Sequence, residues 1–92
     1  MDDYVEVFDK RIQVITTTRG EIYGPPLEDF ERAQRMIVEL ASCEDPAIRH
    51  ALQMICVKLS RLVTTPDHLD SIIDIAGYAR TMAMVISARR GT

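Results

Sequence analysis

Ninety-two residues suffice for one domain and not for two. Fourteen Asp plus Glu against eleven Lys plus Arg leave a net charge of −3, which argues against gripping a DNA duplex through its phosphates. No apolar run is long enough to span a bilayer, so no membrane insertion is expected. Hydrophobic residues make up 47% of the chain, yet a domain of this mass can hide only about 64% of its unfolded surface. Surplus apolar surface is expected to meet another subunit, and a homo-oligomer is expected. Met1-Asp2-Asp3 lacks the cationic flank of a signal peptide. Cys43 and Cys56 sit in apolar helical patterns rather than a disulfide framework, and together these features point to the cytoplasm.

The pattern predicts an all-α, four-helix-bundle-like single domain over residues 1–92. The first helix is expected over about 3–17, capped by Asp2 or Asp3, with Tyr4, Val5, Phe8, Ile12 and Ile15 at helical spacing. The Thr16-Thr17-Thr18 run is expected to fray it. Residues 19–26 hold Gly20, Gly24 and Pro25-Pro26 and read as an ordered connector. The second helix, about 26–42, places Phe30, Ala33, Ile37, Leu40 and Ala41 on its inner face.

Asp45-Pro46 is an N-cap followed by proline at the first helical position and opens a third helix over about 46–63. Apolar residues cover most of its circumference, so it is expected to be central. Thr65-Pro66-Asp67 repeats that start signal for a fourth helix over about 66–88, with Ile72, Ile75, Ala79, Ala83 and Ile86 as its main apolar face. The short link makes helices three and four an antiparallel hairpin. Counting out from the turn sets Arg61 level with Asp70 and Lys58 level with Asp74.

Asp70 and Asp74 share one stripe with Thr81, beside Gly77 and Tyr78. The two aspartates can pair with Arg61 and Lys58 and set the hairpin register. They can instead hold a hard cation such as Mg²⁺, with further oxygens from Glu28 and Glu31. Or this face can meet a macromolecule or another subunit. Lys58, Arg61 and Tyr78 are the candidate ligand-binding residues, and Glu28, Glu31, Asp70 and Asp74 the candidate metal ligands. His68 is expected to make a local hydrogen bond. No serine or cysteine has an identifiable base, so no catalytic residue is assigned.

Tyr23-Gly24-x-Pro26 with Asp29-Phe30-x-Arg32 looks like one half of a signature. Lys58-Leu59-x-Arg61-Leu62 with Pro66-x-His68-x-Asp70-Ser71-x-x-Asp74-Ile75-Ala76-Gly77-Tyr78 looks like the other. Together they resemble small uncharacterised proteins of bacteriophages and prophages, over about residues 19–80. A more distant likeness is to MazG-type all-α nucleoside triphosphate pyrophosphatases. That likeness implies an oligomeric bundle and Mg²⁺ on an ExxE pair and an ExxD pair. Glu28-x-x-Glu31 matches the first; Asp70 and Asp74, four apart, depart from the second. An incomplete carboxylate set can bind a nucleotide without cutting it.

The resemblance thus implies binding, to a host protein or a nucleotide-like ligand, in the cytoplasm of an infected bacterium. A Mg²⁺-dependent pyrophosphohydrolase, degenerate or active, is the alternative.

Overall fold

The computed structural model describes residues 3–91, and among them every regular element is helical. In chain order these are α1 (Tyr4–Tyr23), α2 (Pro26–Val38) with a 3₁₀ turn at Glu39–Ser42, α3 (Pro46–Thr64) and α4 (Leu69–Arg90). The all-α expectation is met. Asp2, one of two residues expected to cap α1, lies outside the described residues. Asp3 does the capping, its Oδ1 accepting from the amides of Val5 (2.8 Å) and Glu6 (3.3 Å).

α1 corrects the expected boundary at Thr17. The three threonines do not fray it, and each hydroxyl bonds back to a carbonyl one turn earlier. Thr16 donates to Ile12 O (2.7 Å), Thr17 to Gln13 O (2.9 Å) and Thr18 to Val14 O (3.0 Å). Gly20 then lies inside the helix, and residues 19–23 of the expected connector belong to its last turns, which leaves Gly24 and Pro25 as the connection. The true stop is Gly24, at φ 79° and ψ −172°, a region essentially closed to residues with a Cβ. Pro25 follows, and Pro26 opens α2 at a position that needs no amide donor.

α3 is the hub, packing against α1, α2 and α4 as expected. Asp45 caps it, accepting from Ala47 N and Ile48 N at 3.2 Å each. Its partnership with α4 is the antiparallel hairpin, pinned near one end by Lys58–Asp74 (3.0 Å) and at the other by an Asp45–Arg89 ion pair. The link is longer than expected. Thr65 does not cap α4, because its hydroxyl is committed to the Ile22 carbonyl at the end of α1. α4 begins at Leu69, with His68 at the N-cap position and no side-chain cap.

The expected inner faces need two corrections. On α2 the buried residues are Asp29 and Ala33, while Phe30 is exposed. On α4 the inward residue is Ser71, with Ile75, Tyr78, Met82 and Val85 half-buried. Ile72, Ala79, Ala83 and Ile86, expected inside, are exposed. Buried hydrophobics among the described residues are Ala33, Ala51 and Cys56 only. No helix there is long and apolar enough to cross a membrane.

The molecule is drawn out. Its radius of gyration is 16.6 Å, against about 12 Å for a compact domain of this length. None of the residues of α1 is buried, and in the longer α4 only Ser71 is.

Candidate functional site

The tightest packing lies where α1 ends, α2 begins and the α3–α4 hairpin turns. Ser60 is 0% exposed and Asp29 6%. The Ser60 hydroxyl shares its hydrogen between Asp29 Oδ1 (2.7 Å) and the Asp29 carbonyl (2.9 Å). Arg32 Nη1, one turn further along α2, donates to the Ser60 carbonyl at 2.9 Å. A carboxylate costs several kcal/mol to bury without such partners, of order 1–3 for each group left unsatisfied, so this trio fixes how α2 sits on α3.

Beside the trio stands Tyr23, from the last turn of α1. The Arg61 guanidinium lies over its ring at 4.4 Å, Arg19 approaches the same ring at 5.9 Å, and His68 meets it edge-on at 5.4 Å. His68 Nδ1 is 2.8 Å from Ser71 Oγ, the local hydrogen bond expected of it. Ser71 is 1% exposed, so this Ser–His pair is closed to a substrate and serves to seat α4.

Between these groups a cavity of ≈ 140 Å³ opens, with Arg19, Tyr23, Gly24, Asp29, Phe30 and Arg61 among its walls. Its size is close to that of an engineered protein cavity of about 150 Å³ that takes up benzene. Neither Arg19 nor Arg61 has a carboxylate within ion-pair reach among the described residues. Arg61 Nε is buried without any hydrogen-bond partner. Two unpaired guanidinium groups against the single Asp29 carboxylate leave the cavity net positive, in a chain whose overall charge is −3.

Of the residues singled out from the sequence, Arg61 lines this cavity. It does not pair with Asp70, which corrects that expected ion pair though not the register; Asp70 is exposed and Arg61 turns to Tyr23 instead. Lys58 does pair with Asp74, at 3.0 Å, as one of the alternatives for these residues expects. Tyr78 is half-buried on α4 and is not part of the cavity wall. Glu28 and Glu31 are exposed on α2. Among the described residues no three His, Cys, Asp or Glu side chains come together as a metal site, so Glu28, Glu31, Asp70 and Asp74 do not converge.

Sequence reasoning missed Arg19, Tyr23 and Asp29 as site residues. The available signal was Tyr23 placed directly before a Gly-Pro-Pro reversal, which forces its helix end against whatever follows.

Residues 6–86 match DUF6378, a domain of unknown function. The chain belongs to that family. No curated protein and no solved structure matches it. In this DUF6378 domain Tyr23, Gly24 and Asp29 are brought together with Arg61, His68 and Ser71 at one corner of the fold.

Proposed function

We propose that this protein is a binding module for a small phosphate-bearing ligand of nucleotide type, with the Arg19–Tyr23–Arg61 cavity as its anchoring point. The observation that carries the reading is the pair of guanidinium groups without carboxylate partners, one of them with a buried orphan N–H. Arginine presents a fixed fork of donors that matches phosphate oxygens two at a time, and a charged acceptor is what a desolvated guanidinium lacks. At ≈ 140 Å³ the cavity encloses a terminal phosphate rather than a whole nucleotide, which needs a pocket of about 300 Å³ or more. The remainder of the ligand then lies along exposed Phe30. The likeness to phage proteins supports a setting in the cytoplasm of an infected bacterium, where such binding sequesters a host ligand.

Thermal unfolding with inorganic phosphate and with nucleoside mono-, di- and triphosphates tests this. A ligand at 100 times its Kd adds about 2.7 kcal/mol of stability, and Arg61→Met abolishes the shift. No shift with any phosphate compound, or a shift that Arg61→Met leaves intact, overturns the reading. Pyrophosphate release that requires Mg²⁺ and is lost in Asp70→Asn and Asp74→Asn would replace binding by the pyrophosphohydrolase that the MazG-like pattern implies.

A further inference from the structure

A second surface is independent of that cavity. From Tyr4 to Arg19, α1 is exposed at every residue except the half-buried Val7. Along this stretch Tyr4, Val5, Phe8, Ile12 and Ile15 fall within about 100° of the helix circumference, a stripe some 16 Å long. The same stripe continues into Ile22 and Tyr23, which pack at the corner of the bundle. α1 is therefore an amphipathic helix docked by its last turn, with the rest of its apolar face overhanging.

Two magnitudes say that the overhang has an occupant. A helical stretch of about 12–15 residues is marginal in water on its own, so the free part of α1 needs packing to persist. The chain also exposes 6974 Å², where a compact monomer of its mass exposes about 5,400 Å². The excess, near 1,600 Å² per chain, is about twice the roughly 800 Å² per partner of a standard interface. This excess belongs to the whole chain, and covering half of it around the stripe with a second copy buries about 1,600 Å² in total, the size of a standard stable interface. The stripe is edged by Asp9 on one side and Arg11 on the other, so it selects neither a polyanion nor a polycation. We infer that the apolar stripe of α1 packs against a second copy of this chain in an isologous dimer. In such an arrangement each patch is its own complement.

The test is the solution mass of the full chain without added ligand, by size exclusion with light scattering, so a failed ligand screen leaves it untouched. The wild type elutes as a dimer at micromolar concentration, and Ile12→Glu shifts it to a monomer. Should Ile12→Glu fail to fold by circular dichroism, Phe8→Ser at the same concentrations gives the same readout with a milder change. A wild type monomeric at every concentration leaves the stripe to a foreign protein and overturns the inference. So does a dimer that survives both substitutions, which would place the contact on the exposed Ile72, Ile73 and Met84 of α4 instead.

Discussion

The corner built around Ser60 and the overhang of α1 follow opposite rules. At the corner, polar groups are buried and all but one find partners: Ser60 with Asp29, Arg32 with the Ser60 carbonyl, Thr65 with the Ile22 carbonyl. On the overhang, large apolar groups stand in solvent, Tyr4 at 87% exposure. Polar atoms thus define the single-chain fold here, while much of the grease is held back from it. A small domain that closes its core with serine and aspartate depends on hydrogen bonds that cannot be swapped for bulk.

Substitutions can break that contrast. The largest effect on single-chain stability is expected from Ser60→Ala, which strips Asp29 Oδ1 of its donor and leaves a buried carboxylate short of a partner. About 1–3 kcal/mol is lost, read as a lower denaturant midpoint with an unchanged slope. Gly24→Ala comes next. A Cβ there meets Thr64 Oγ1 at 3.4 Å, an ordinary contact, but φ 79° is strained for any residue that carries one. A loss of about 1–3 kcal/mol follows, measured the same way.

The smallest effect lies at the far end of the hairpin and sharpens the comparison through pH. The Arg89 guanidinium, hydrogen-bonded to Asp45, together with the amide of Ile48, holds the Asp45 carboxyl down at about 2, below its ordinary 3.8. A depressed carboxyl contributes stability above its unfolded value, and that contribution fades as pH falls from about 3.8 through about 2. In Arg89→Ala this part of the acid-denaturation curve flattens: the small contribution of this exposed pair is lost at neutral pH, where it is fully present, and the two proteins converge in stability below about pH 2.

Much of the architecture was legible because its signals are chemical and local. Asp45-Pro46 opens a helix by capping and fixed φ, and the Lys58–Asp74 register follows from a short antiparallel link. What misled was punctuation and periodicity. Gly20 and Gly24 look alike in sequence, yet only Gly24 takes the positive φ that ends α1. Outside its Asp70–Asp74–Thr81 stripe α4 carries apolar residues on several faces, so spacing alone could not tell Ile72 and Ile86, facing solvent, from the half-buried Ile75 and Met82. Periodicity reports that a face will be covered, not by which chain.

For the site, Arg61 was legible as a cation beside the hairpin turn, but its company was not. Arg19 and Tyr23 fall in the stretch that resembled a connector, and Asp29 is one step off the expected inner face of α2. A carboxylate is read as solvated until a donor such as Ser60, 31 residues away, is known to reach it.

The way α1 is fastened has a mechanical result. A rod of 20 residues, about 30 Å long, is clamped at one end only, at the Gly24 reversal and the Thr65–Ile22 link. A tilt of about 10° at that fulcrum would sweep the opposite tip through about 5 Å, given the rise of 1.5 Å per residue. Movements too slight to notice beside Tyr23 would thus become displacements of several ångströms at Tyr4 wherever nothing covers the overhang, and a partner seated on α1 would hold that tip in place.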